Sequence, residues 1–266
     1  MQRLAVLGFP IGHSRSPAIH NAAFAELGME GEWSYEAIEV APDRFQERIA
    51  AMPGEGFVGA NVTVPHKGAA LLLSDRRSEV AREIGAANTL SFRDGEVRAD
   101  NTDAEGLMEA LPGSAAGSRA LVLGAGGAAR AVVWALTREG SQVSVWNRTP
   151  ERAAQLCAEL GGIVEQEPRS GKYDLIVNST SVGLRGEDPF EALPVSRDWF
   201  GYSQTVVDLV YGHGESRLLK AAGEAGAAVV DGLEVLVRQG AASFRIWTGV
   251  EPPLETMREA AEDRRK

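Results

Sequence analysis

Cysteine is nearly missing from this chain. Cys157 stands alone, so no internal disulfide can form and nothing points to an oxidising compartment. No apolar run approaches the roughly 20 residues of a membrane span. The opening Met1-Gln2-Arg3-Leu4-Ala5-Val6-Leu7 lacks the long apolar region and cleavage site of a secretory signal. Positive charge is in deficit: 27 Lys and Arg against 37 Asp and Glu leave a formal net charge of −10. That balance disfavours nucleic acid and anionic membrane as partners. The 4 histidines, His13, His20, His66 and His213, have no metal-ligand spacing, so no metal is expected and the rings read as solvated or satisfied. Solenoid repeats and low-complexity segments are also lacking. A soluble, cytoplasmic protein acting on a small molecule is the expectation.

What is present begins with length. The chain has 266 residues, beyond the roughly 100–200 of one domain, so two compact units are expected. In the first half, residues 4–7 read as a buried strand, and Ser16-Pro17 opens a helix with a hydroxyl cap and a proline at its first turn. Extended stretches are predicted at 33–40 and 57–64, and helices at 43–52, 66–73 and 77–84. Strands at 87–92 and 96–100 flank the turn-forming Asp94-Gly95, and a helix opens at Thr102. A run of small residues, 112–118, breaks the pattern. After it, strands at 120–123, 142–146, 174–178, 205–211 and 227–230 alternate with helices at 127–139, 150–160 and 216–225. Such alternation predicts parallel βαβ units. From Leu233 the chain reads as two helical pieces broken at Pro252-Pro253, with a charged, fraying end.

The second half carries a dinucleotide signature. Gly124-Ala125-Gly126-Gly127-Ala128-Ala129 is a G-x-G-x-x-A pattern set between a predicted strand and helix. Gly124 permits the tight turn, Gly126 admits the pyrophosphate, and Ala129 allows close helix–strand packing. The next strand ends at Trp146, where an NAD-selective fold places an acid for the ribose 2′-hydroxyl. Asn147, Arg148 and Thr149 stand there instead, with Arg152 one turn on. Arg148 can hold a 2′-phosphate by charge-assisted bonds, so NADP(H) is the expected cofactor.

The first half carries polar residues that packing does not require. Ser14 and Ser16 lie two apart at a helix start, where O–H and N–H donors suit a carboxylate. Asn61 and Thr63 alternate onto one strand face. Pro65 then starts a helix whose first turn holds Lys67, at the positive end of the dipole, where a purely structural cation is disfavoured. Asp103 sits in another first turn, where the dipole favours a carboxylate. It can bond a substrate hydroxyl or the Lys67 ammonium.

Together these stretches resemble the shikimate dehydrogenase family. The resemblance is carried, in order, by residues 8–21 (GFPIGHSRSPAIHN), 59–67 (GANVTVPHK), 85–89 (GAANT), 100–103 (DNTD), 124–130 (GAGGAAR), 147–149 (NRT), 178–184 (NSTSVGL), 208–211 (DLVY) and 231–244 (DGLEVLVRQGAASF). It implies an N-terminal α/β substrate domain formed by 1–101 plus 233–266, and a Rossmann NADP-binding domain over 102–232. Lys67 and Asp103 would be catalytic. Ser14, Ser16 and Tyr211 would hold the substrate carboxylate, and Thr63, Asn88 and Gln239 the ring hydroxyls. Gly124, Ala125, Gly126, Gly127 and Ala128 would cradle the pyrophosphate, and Asn147, Arg148, Thr149 and Arg152 the adenosine 2′-phosphate. Leu209 and Gly232 would border the nicotinamide, with Glu79 also on the cofactor side.

The implied reaction is reversible reduction of 3-dehydroshikimate to shikimate by hydride transfer across a cleft between two domains, in aromatic amino-acid biosynthesis. A monomer or homodimer is expected. Two other readings remain open: a quinate/shikimate dehydrogenase of broader specificity, and a catalytically silent NADP-binding regulator. One departure stands out. Where the family continues x-P-x-x-T after DLVY, this chain has Gly212-His213-Gly214-Glu215-Ser216, a looser loop that keeps a hydroxyl at its end.

Overall fold

The computed structural model describes residues 1–212 and 216–262. His213, Gly214 and Glu215 of the departing loop, and the last four residues of the charged end, lie outside the described residues. The chain divides into two compact units, one of Met1–Gly106 with the residues from Leu236 on, the other Leu107–Val235. The division falls within two helices rather than at the expected 101/102 and 232/233.

In the first unit the order is β1 (Gln2–Gly8), α1 (Ser16–Glu26), β2 (Trp33–Glu39), α2 (Phe45–Ala51), β3 (Phe57–Val62), α3 (Lys67–Leu73), β4 (Arg76–Arg77), α4 (Glu79–Ile84), β5 (Thr89–Arg93), β6 (Glu96–Asp100) and α5 (Asp103–Ala110). The second unit follows as β7 (Arg119–Leu123), α6 (Gly127–Arg138), β8 (Gln142–Trp146), α7 (Pro150–Leu160), β9 (Ile163–Val164), β10 (Leu175–Asn178), α8 (Pro189–Ala192), β11 (Thr205–Asp208), α9 (Arg217–Glu224) and β12 (Ala228–Asp231). Two helices, α10 (Gly232–Thr248) and α11 (Leu254–Glu262), complete the described chain. No helix among the described residues is long and apolar enough to cross a membrane.

The first unit holds a mixed six-stranded sheet ordered β2-β1-β3-β5-β6-β4. β1 runs parallel to both β2 and β3, whereas β5 is antiparallel to β3 and β6. The Asp94-Gly95 turn forms as expected, both residues taking positive φ (56° and 76°), which matches the twist of the hairpin. One side of the sheet is filled by Leu7, Phe45, Phe57, Val62 and Leu90 among others. An aromatic group gathers α1, β2 and α10: Phe24 lies near Trp33 and Phe244, and Tyr35 near Trp247.

The second unit holds a six-stranded sheet ordered β12-β11-β10-β7-β8-β9, with every adjacent pair parallel. Read from β7 this is the doubly wound dinucleotide-binding order, reversing between β7 and β10. Its central strands β7 and β10 are apolar and buried without alternation because both faces are covered. Ala120 and Val122 of β7 pack into one core cluster, Leu121 and Leu123 into the other.

Several expectations need correction. Ser16 does not cap α1 through its side chain; it is the first helical residue, and its N–H donates to Ser14 Oγ at 3.3 Å. The preceding turn, in which Ser14 N–H donates to Ile11 O at 2.9 Å, moves the capping oxygen two residues upstream. The strand expected over 205–211 ends at Asp208, whose carboxylate accepts the Val210 N–H at 3.1 Å and the Ser216 hydroxyl at 2.5 Å, turning the chain. His66 is satisfied as expected: Nε2–H donates to Val40 O at 2.7 Å and the ring stacks on Phe45. His20 is neither solvated nor satisfied. It is fully buried, with no partner on either ring nitrogen.

Candidate active site

The first unit brings four of the expected residues into one bonded chain. α3 starts directly after His66 and so lifts Lys67 from its first turn. Its Nζ donates to Asp103 Oδ2 at 2.7 Å. Asp103, at the start of α5, accepts from Asn88 Nδ2 on Oδ1 at 2.9 Å, and Asn88 Nδ2 also approaches Gln239 Oε1 at 3.1 Å. The lysine and aspartate side chains are only 12% and 19% exposed, so the pair is largely shielded from water without being sealed off. A cation and a carboxylate this close, near solvent yet mostly desolvated, can hold and move a proton at one external oxygen.

Gln239 reaches this cluster because α5 and α10 come into very close approach. A Cβ on Gly106 would lie 2.6 Å from the Gln239 nitrogen, so only glycine fits. Gly106→Ala is therefore expected to cost about 1–3 kcal/mol of folding stability through overpacking, read as a lowered urea midpoint. An unchanged midpoint would show that the crossing has slack.

Behind the cluster lies a buried polar layer that sequence inspection did not assign. Asn61 accepts the Tyr35 hydroxyl at 2.7 Å and donates to Ser243 Oγ at 2.9 Å, across 182 positions of chain. It thus faces inward, not toward a ligand beside Thr63. Thr89 and Thr102 hydroxyls lie 3.1 and 3.2 Å from Ser243 Oγ. Asn61, Thr89, Thr102 and Ser243 sat in the family-like motifs and Tyr35 did not; their mutual contacts had no local signal.

Ser14, Ser16 and Thr63 stand on the segments that follow β1 and β3. Thr63 N–H donates to Leu7 O at 2.8 Å, and its methyl packs against Gly8. Ser16 is nearly buried, Ser14 and Thr63 half-buried. Glu79 is exposed in the first turn of α4, in the first unit.

In the second unit the glycine turn leaves β7 at its carboxyl end. Gly124 has φ +114°, a conformation L side chains rarely adopt, and a Cβ there would meet Ser179 Oγ at 2.8 Å. Gly126 precedes α6 and nothing lies within 4 Å of where its Cβ would be. That open face and the free N–H groups of α6 fit a pyrophosphate. Ala129 is fully buried against the core, as the motif requires. At the end of β8, Asn147 Nδ2 donates to Thr149 O at 2.9 Å. Arg148 and Arg152 are exposed, and among the described residues neither guanidinium has an acidic partner. Gly232 packs on Leu209, whose carbonyl oxygen would be 2.7 Å from an added Cβ. Tyr211 is half-buried beyond β11. Ser216 keeps the hydroxyl expected of that position: besides bonding Asp208 it accepts the Leu218 and Leu219 N–H groups and caps α9. Burial holds the Asp208 carboxyl above its ordinary range.

A strand order that reverses at β7, with a glycine turn at the reversal, places the chain among the dinucleotide-binding α/β proteins. Residues 6–90 match the shikimate dehydrogenase substrate binding domain, 107–182 shikimate / quinate 5-dehydrogenase, and 232–262 the shikimate 5'-dehydrogenase C-terminal domain. A shikimate dehydrogenase (NADP(+)) from Methanocella arvoryzae is 44% identical over 97% of each chain. Among solved structures, the shikimate dehydrogenase of Aquifex aeolicus superposes with a TM-score of 0.92 at 38% identity, covering 99% of this chain and 98% of that one. The shikimate 5-dehydrogenase of Thermus thermophilus, in complex with NADP(H) and shikimate, gives 0.89 at 43% identity over 98% of both. The chain belongs to the shikimate dehydrogenase family. Its first unit is the substrate domain of that fold and its second the NADP-binding domain.

Proposed function

We propose that this chain is an NADP-dependent shikimate dehydrogenase, reversibly reducing 3-dehydroshikimate to shikimate. The observation that carries the reading is the 2.7 Å contact between Lys67 Nζ and Asp103 Oδ2, held mostly out of water. In the reducing direction Lys67 gives a proton to the oxygen that becomes the new hydroxyl, and Asp103 fixes that oxygen's position. In the oxidising direction the same lysine receives it. Bound NADPH supplies a hydride from nicotinamide C4 to substrate C3.

The remaining residues bind and orient. Ser14 and Ser16, with Tyr211, take the substrate carboxylate, and Thr63, Asn88 and Gln239 the ring hydroxyls. Gly124 through Ala128 offer N–H donors to the pyrophosphate, Asn147, Arg148, Thr149 and Arg152 hold the 2′-phosphate, and Leu209 and Gly232 border the nicotinamide, with Glu79 on the cofactor side. The unit of Met1–Gly106 with the residues from Leu236 on serves substrate binding, and Leu107–Val235 cofactor binding. The acidic balance and single cysteine support a cytoplasmic enzyme with no nucleic-acid or membrane partner, acting as a monomer or homodimer.

The test is growth of reduced-nicotinamide absorbance on mixing the protein with shikimate and NADP+. No growth would leave an NADP-binding protein without this activity, and comparable rates with quinate or NAD+ would point to the broader enzyme. Arg148→Ala is expected to raise the KM for NADP+ by about 10- to 100-fold, the loss of one or two charge-assisted bonds, and to leave the KM for NAD+ nearly unchanged. Equal effects on both cofactors would remove Arg148 from the 2′-phosphate.

A further inference from the structure

We infer that Asn101 is a positioning residue for the reaction, acting through Asp103. The inference rests on the catalytic reading of Lys67 and Asp103 given above. Asn101 is buried between β6 and α5, and its amide uses both ends. Oδ1 accepts the Asp103 N–H at 3.1 Å, and Nδ2 donates to Ala86 O at 2.9 Å. The next residue along, Ala87, donates its own N–H to Lys67 O at 2.9 Å. A closed circuit results. It runs from the Lys67 main chain through Ala87, Ala86 and Asn101 to the Asp103 main chain, and back through the 2.7 Å contact of the two side chains.

The chemistry of the partners fixes the amide. A main-chain N–H only donates and a carbonyl only accepts, so the residue between them needs one acceptor and one donor on a short stem. Alanine supplies neither, and aspartate lacks the donor. Asn88 works beside it. Its Oδ1 accepts the Thr102 N–H at 2.8 Å, which turns Nδ2 toward Asp103 Oδ1. The two asparagines thus occupy the Asp103 N–H and Oδ1, and Oδ2 is left for the ammonium. A carboxylate held at its root and at one oxygen presents the other in a single place, and misplacing a reacting group by about an ångström can cost 10²-fold in rate.

A double-mutant cycle on the whole chain tests this, with kcat for shikimate oxidation, KM for NADP+ and thermal midpoint as readouts. Asn101→Ala should lower kcat by about 10- to 100-fold with KM for NADP+ unchanged. In an Asp103→Ala background the same change should alter kcat by less than about twofold, because residues acting as one unit are non-additive. Asn101→Ser enters the same cycle if the alanine variant does not accumulate as folded protein. An equal loss in both backgrounds, or native kcat in the single variant, overturns the role of Asn101 and leaves that of Asp103 intact. Native kcat in Asp103→Ala alone would instead remove the reading on which the inference stands.

Discussion

Lys67→Ala turns over shikimate about 10²- to 10⁴-fold more slowly than the native chain and binds NADPH with nearly native affinity. The factor is that of a positioned proton donor. Cofactor affinity survives because the glycine turn and the Arg148 and Arg152 cations belong to the second unit. A structural penalty accompanies the loss. Asp103 is 19% exposed, and removing its ammonium leaves a mostly desolvated carboxylate unpaired, which in buried pairs costs about 3–5 kcal/mol. NADPH titration therefore has to accompany the rate measurement, so that the rate is counted per folded molecule. Native turnover by a folded Lys67→Ala protein would take the lysine out of the reaction.

His20→Phe changes how stability depends on pH. The His20 imidazole lies against Tyr35 with ring centroids 4.2 Å apart, and Phe244 and Trp247 close the other sides. Burial without a partner lowers its pKa from 6.5 to about 3. Below about 6.5 the unfolded chain takes up a proton there, and the folded chain does not until about 3. The unfolded state binds the extra proton across that window, so stability falls as pH falls through it and is unaffected above it. At about 1.4 kcal/mol per pH unit, the native chain should lose roughly 3 kcal/mol between about pH 7 and pH 4 relative to the phenylalanine variant. Carboxylates common to both proteins cancel in that difference. Near neutrality the variant should be at least as stable, since it removes two unpartnered buried nitrogens. Urea unfolding at several pH values reads the result, and parallel curves for the two proteins would dismiss the buried neutral ring.

The sequence exposed those parts of the molecule that short-range rules control. Strand-turn-helix around Gly124 follows from a motif whose parts are adjacent, and the β5–β6 hairpin follows from Asp94-Gly95. The two-residue strands β4 and β9 could not be read, because they are strands only by pairing with Arg98-Ala99 and Ser144-Val145. Short-range rules also misled at Ser16, where a serine before proline looked like a cap although the capping oxygen belonged to Ser14. In the site, Lys67 and Asp103 stood out because each occupies a helix start, and their meeting was an open alternative until the fold closed 36 positions of chain. The actual roles of Asn61, Ser243 and His20 were hidden for one reason. Their roles depend on which distant side chain covers them, and a residue's type says nothing of its cover.

The outermost position of β2 bears on self-association. Its midpoint is Glu36, half-open to solvent and bonded to Arg3 at 2.6 Å. Two copies joining their sheets across this edge about a twofold axis, in full antiparallel overlap, would set Glu36 against Glu36 and Glu39 against Trp33. Like charges facing each other across paired strands repel. A rim strand with acid at its centre therefore disfavours that fully overlapped, edge-to-edge fusion of two sheets.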